Sequence, residues 1–275
     1  RPRAAVKLPL LPKIEITMPL TRKAYRAAIL HSLADPAEVG IEASYEYFED
    51  GLLVIDNGRI SALGHARDLL PSLPAEVEIT HYQDALITPG LIDTHIHLPQ
   101  TGMVGAYGEQ LLDWLNTYTF PCERQFADKA HAEEVADIFI KELLRNGTTT
   151  ALVFGSVHPQ SVNAFFEAAE KLDLRMIAGK VMMDRNAPGY LTDTAESGYQ
   201  ESKALIERWH GKGRLHYAVT PRFAPTSTPQ QLALAGQLLG EYPDLYMQTH
   251  ISENKQELEW VNELFPERSG YLDVY

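Results

Sequence analysis

Only one cysteine, Cys122, occurs among the 275 residues. That excludes an intramolecular disulfide framework and any cysteine-rich zinc module, so a bound metal has to rest on histidines and carboxylates. The lone thiol is compatible with a reducing cytosol, and a cytoplasmic location is expected. Long apolar runs are also missing. Segments such as Thr150 to Phe154 stop far short of the roughly 18 apolar residues that a spanning helix needs, and a soluble protein is expected. Positive charge is scarce: 24 basic side chains face 37 acidic ones, a formal charge of −13. Such a balance repels phosphate backbones and argues against nucleic acid or an anionic membrane as the principal partner. A small or neutral ligand fits it better.

What is present suffices for a core. Hydrophobic residues make up 45% of the chain and charged ones 22%, which suits one or two globular domains. Arg1 to Lys13 is basic, broken by prolines 2, 9 and 12, and followed by no small-residue cleavage site. Residues 1–21 read as a disordered lead-in, with Met18 an alternative start to Arg1.

Two textures follow. Gly51 to Gly64 holds two apolar runs separated by Asp56-Asn57-Gly58, a strong hairpin signal, and residues 22–88 read as a small β domain. From residue 89 to 275, strand-like runs alternate with amphipathic helices. The runs are Leu86 to Leu91, Thr149 to Phe154, Arg175 to Val181, Leu215 to Thr220 and Leu245 to Thr249. Val135, Ile138, Phe139 and Leu143 recur at helical spacing before Asn146-Gly147, a natural stop. Thr228-Pro229-Gln230-Gln231 supplies a capping residue, a first-turn proline and a capping-box glutamine. This pattern predicts the α/β class, a (β/α)8 TIM-like barrel carrying a small N-terminal β domain. Such a barrel takes about 250 residues, so only about five βα units are present and the barrel is incomplete. An open doubly wound sheet is the alternative, although no Gly-rich dinucleotide turn follows the first strand.

The chemistry gathers at strand ends. In Pro89-Gly-Leu-Ile-Asp-Thr-His95-Ile-His97-Leu-Pro-Gln100, two histidines at i and i+2 of an extended segment point to the same side and can reach one ion. The fifth strand ends Gln248-Thr-His250-Ile-Ser-Glu253, where His250 offers a third nitrogen and Glu253 can stand beside a metal-bound water. A structural alternative makes Glu253 a helix-terminus acid that merely favours the dipole. The fourth strand ends Thr220-Pro-Arg222-Phe223, with a guanidinium able to donate to a carbonyl and a ring able to cover a flat ligand.

These residues, with Pro99-Gln100, Thr119-Phe-Pro121, Asn146-Gly-Thr-Thr-Thr-Ala151 and Gly179-Lys-Val-Met-Met-Asp184, resemble the guanine deaminases of the amidohydrolase superfamily. The resemblance runs from about Phe48 to Tyr275. It implies a zinc enzyme, one ion per subunit, converting guanine to xanthine and ammonia as a homodimer. By that resemblance His95, His97 and His250 ligate the metal, and His97, Gln100, Arg222, Phe223, His250 and Glu253 contact substrate. Zinc would lower the pKa of a bound water to about 7 for attack on C2, while the catalytic Glu253 shuttles protons to N3 and the leaving ammonia. Arg222 would hold the O6 carbonyl. The family also uses a further His and an Asp on later strands, beyond Tyr275. The expectation is therefore that this chain is a fragment, inactive and poorly folded alone.

Other residues read more plainly. His31, His65, His81, His131, His158, His210 and His216 lack ligand spacing and suit solvated or structural roles. Glu109 and Trp114 fall in a loop that could form a lid or simply pack. Cys122 reads as a buried or incidental thiol. Rival readings are another amidohydrolase acting on an aminated heterocycle or a chlorohydrolase, and a catalytically silent barrel fragment that needs a partner.

Overall fold

The computed structural model describes residues 22–108 and 110–275; the expectations for residues 1–21, for Met18 and for Glu109 lie outside them. The described residues divide between Pro89 and Gly90 into two compact units. Among them no helix is long and apolar enough to cross a membrane.

The first unit is a four-stranded sheet. Its strands are β1 (Arg22–Ser32), β2 (Tyr45–Asp56), β3 (Arg59–His65) and β4 (Ile79–Ile87), in the order β3-β2-β1-β4. β2 and β3 pair antiparallel through a two-residue turn in which Asn57 has φ 49° and Gly58 φ 76°. Two successive left-handed residues are what a tight hairpin of matching twist requires, and Asn-Gly accepts them readily. Ala24, Leu52, Val54 and Ala66 form its buried centre.

The second unit is a parallel sheet with helices in βα order. Its strands are β5 (Leu91–His97), β6 (Thr148–Phe154), β7 (Arg175–Gly179), β8 (Val181–Met182), β9 (His216–Pro221) and β10 (Tyr246–Met247). The order is β10-β9-β7-β6-β5, with β8 also beside β9. Between and after them run α1 (Lys129–Arg145), α2 (Pro159–Glu170), α3 (Ala195–Trp209), α4 (Pro229–Glu241) and α5 (Lys255–Leu264). This is the partial (β/α)8 barrel that the alternation predicts. Val153, Met176, Tyr217 and Val219 of the strands pack on Phe139, Phe165, Trp209 and Leu238 of the helices. Burying each large apolar side chain contributes about 1.5–3 kcal/mol.

Two local expectations are corrected. The first barrel strand is not Leu86 to Leu91, because Leu86 belongs to β4 of the other sheet. Pro89 has no N–H for a ladder, and pairing with β6 starts only where Leu91 N–H donates to Gly147 O at 2.8 Å. Gly90 permits the approach, since a Cβ there would sit 2.0 Å from Thr149 Oγ1. The capping box at Thr228 is half formed: its Oγ1 accepts from Gln231 N–H at 3.2 Å, but the Gln231 side chain is buried and bridges Ser227 and Asp193 instead. A buried amide with two polar partners has no reason to turn back to the helix start. The predicted stop after α1 is present, with Asn146 as cap and Gly147 at φ 83°.

Candidate active site

Strand alternation carries His95 and His97 to one side of β5, at its C-terminal end. The Asp93 carboxylate accepts the His95 N–H at 3.0 Å. His250 arrives from a different strand end and is fixed by its backbone neighbour: the Arg222 carbonyl accepts its N–H at 3.0 Å and lies 2.8 Å from its Nδ1. The Tyr275 hydroxyl donates to the His250 carbonyl at 2.9 Å. With Nδ1 donating, the lone pair sits on Nε2, 3.0 Å from His97 Nε2. One nitrogen from each of His95, His97 and His250 lies within 4.8 Å of the other two.

Burial drives His97 well below the usual imidazole range, and burial followed by the Arg222 charge brings His250 down to about 4. Both are therefore neutral, the form that offers lone pairs to a metal. His97 Nδ1 is buried with no hydrogen-bond partner among the described residues. Three converging imidazoles fit a divalent ion of borderline softness. The Phe154 ring underlies all three, with centroids 5.2 Å from His95 and 4.5 Å from both His97 and His250.

A cavity of about 180 Å³ opens over these nitrogens, lined by Gln100, Leu111, Trp114, Leu115, Arg222, Phe223 and Glu253 besides the histidines. Arg222 is not a surface ion pair. It is buried and donates from Nη1 to the equally buried Glu123 at 2.7 Å, with the Phe120 ring 5.5 Å from its Cζ. Phe223 is held edge-on by Trp260, centroids 6.4 Å apart. Trp114 anchors its indole on the Ala106 carbonyl at 3.0 Å, which puts the segment Leu111 to Leu115 against the cavity.

Glu253 sits on a short connection turned by Ser252 at φ 59°, just before the N-terminus of α5. The buried Glu257 accepts the N–H groups of Glu253 and Asn254 at 2.9 and 3.1 Å, and the Tyr271 hydroxyl at 2.5 Å. Burial, then the Glu257 charge, pushes the Glu253 carboxyl up. A carboxyl raised in this way holds a proton more readily than a free one, which suits proton transfer.

The structure thus brings His95, His97, Gln100, Arg222, Phe223, His250 and Glu253 to one cavity. Sequence reasoning missed Phe154, Glu123, Glu257 and Tyr275. Phe154 had a signal, as the last residue of its strand. Glu123 had none, because its partner lies 99 positions away. His158 stays outside the cluster as the cap of α2, its Nε2 buried and unpartnered among the described residues, and burial lowers its imidazole. Cys122 is half-buried, and burial raises its thiol.

Residues 86–275 match the amidohydrolase family. Guanine deaminase of Escherichia coli (strain K12) is 55% identical over 258 residues, covering 93% of this chain and 58% of that protein. The solved E. coli guanine deaminase superposes with a TM-score of 0.89 over 92% of this chain and 59% of that one. Guanine deaminase from C. acetobutylicum, solved with guanine in its active site, gives 0.81 at 28% identity over 92% of this chain and 58% of that one. The chain spans somewhat over half the length of these relatives. With its family pattern and its barrel in place, the chain belongs to the amidohydrolase family.

Proposed function

We propose that the whole protein hydrolyses guanine to xanthine and ammonia, with one zinc ion held by His95, His97 and His250 of this chain. The observation that carries this reading is the single cavity that joins three imidazoles to Gln100, Arg222, Phe223 and Glu253. Guanine deaminases among the relatives, one of them with bound guanine, support the choice of substrate.

The ion, when bound, supplies an activated water as nucleophile. The protein's own groups do the rest. Phe223 covers the flat purine, and Arg222 donates to its carbonyl oxygen, a contact that adenine cannot make. The Gln100 amide, with both a donor and an acceptor, binds a ring edge. Glu253 moves a proton to the ring nitrogen beside C2 and then to the departing amine. Leu111, Trp114 and Leu115 give the cavity an apolar wall that limits bulk water, which strengthens each polar contact inside.

The test is an assay of the whole, purified and zinc-loaded protein for xanthine and ammonia released from guanine in equal amounts, with and without a chelator. Equimolar products lost on chelation support the reading; turnover of another aminated heterocycle in preference to guanine contradicts it. A cytoplasmic homodimer belongs to the same proposal. Sedimentation at micromolar concentration checks the assembly, and a monomer there refutes that part.

A further inference from the structure

Arg222 and Glu123 form an ion pair that solvent does not reach, with side-chain exposures of 3% and 0%. Nη1 donates to Glu123 Oε1 at 2.7 Å, while Oε2 is buried with no hydrogen-bond partner among the described residues. No other hydrogen bond leaves the guanidinium among those residues, yet Arg222 lines the cavity. Phe120, one turn before Glu123, covers the guanidinium. Burial raises the Glu123 carboxyl and the Arg222 charge opposes that rise. The purine chemistry above makes no use of this carboxylate.

A lone guanidinium in a low-dielectric pocket attracts any anion, with an energy that falls only as the inverse of distance. A carboxylate bonded to one of its nitrogens cancels that field and leaves the other N–H groups as donors without net charge. We propose that Glu123 determines specificity by positioning and neutralising Arg222, so that the cavity prefers a neutral purine carbonyl to a purine anion. The inference rests on Arg222 as the purine contact in the function proposed above.

The test measures binding by calorimetry at pH 7.5 on the zinc-loaded protein. Hypoxanthine is the neutral probe, since it carries the carbonyl and lacks the amine that would leave; urate is the anionic one. In Glu123→Gln the ratio of urate to hypoxanthine affinity is expected to rise at least about tenfold, as removal of one member of a buried charge pair leaves the other uncompensated. Glu123→Asp, which keeps the charge, is expected to stay within about threefold of the wild-type ratio. An unchanged ratio in Glu123→Gln, with only the melting temperature lowered, makes the pair purely structural and overturns the inference. An equal displacement in Glu123→Asp overturns it too, because the retained charge would then not be what matters. If Glu123→Gln does not fold, the wild-type protein decides: urate bound as tightly as hypoxanthine refutes the inference, and hypoxanthine bound at least about tenfold more tightly supports it. A wild-type protein that binds no hypoxanthine refutes the function itself, and the inference falls with it.

Discussion

The carbonyl oxygen of Arg222 accepts the backbone N–H of His250 at 3.0 Å and lies 2.8 Å from its Nδ1. The residue that faces the purine in our proposal therefore also fixes the tautomer and the aim of a proposed metal ligand. Metal-binding histidines commonly donate their second nitrogen to such a carbonyl, which orients the ring. The proposed substrate contact and the proposed metal site share one backbone bridge between strand ends, Phe223 beside His250.

Replacing a ligand should empty the metal site without unfolding the chain. His250→Ala is expected to weaken zinc binding by at least about 100-fold, more than the loss of an outer partner. Zinc content by mass spectrometry, beside a circular dichroism spectrum that stays unchanged, checks this. A variant that keeps one zinc per chain contradicts the ligand assignment.

Glu253→Gln removes the proposed proton carrier and leaves the imidazoles alone. The expected result is a fall in kcat of about 10²–10⁴, with zinc content and hypoxanthine binding as in the wild type. Steady-state kinetics beside a metal assay separate these quantities, and a kcat within about threefold of wild type removes Glu253 from the chemistry.

How far the sequence showed this arrangement depended on the range of the interaction. His95 and His97 were legible because two-residue alternation puts them on one side of a strand whatever the tertiary fold. His250 was legible as a histidine at a strand end. The Asn57-Gly58 hairpin needed only local backbone preferences. Glu123 was hidden because the value of a buried carboxylate depends on an arginine brought to it by folding. The Gln231 misreading has the same origin: capping chemistry is local, but Asp193 and Ser227, gathered by tertiary packing, bind its amide first.

The connection that carries Glu253 is held chiefly by Glu257. Glu257→Ala leaves two backbone N–H groups and the Tyr271 hydroxyl without their acceptor, an expected loss of about 2–4 kcal/mol. Urea unfolding reads the loss. Zinc affinity is expected to hold while kcat falls, because the proposed catalytic carboxylate rather than the imidazoles loses its support; an equal loss in both would tie Glu257 to the proposed metal site instead.

Close strand packing gives a further test. A Cβ on Gly179 would lie within van der Waals radii of the Ala218 carbonyl and the Thr220 hydroxyl, whereas one on Gly189 meets nothing within 4 Å. Gly179→Ala is expected to destabilise by at least about 2 kcal/mol, as overpacking against backbone does, and Gly189→Ala by less than about 1 kcal/mol. Equal urea midpoints for the two would show that β7 and β9 are less tightly apposed than described.

The most direct test of the account is a crystal structure of the protein soaked with zinc and hypoxanthine, with anomalous data collected at the zinc edge. The account requires one anomalous peak bonded to His95, His97 and His250 at about 2.0–2.1 Å, with the purine carbonyl on Arg222 and its ring against Phe223. A zinc peak elsewhere, or a purine bound away from Arg222, would contradict it.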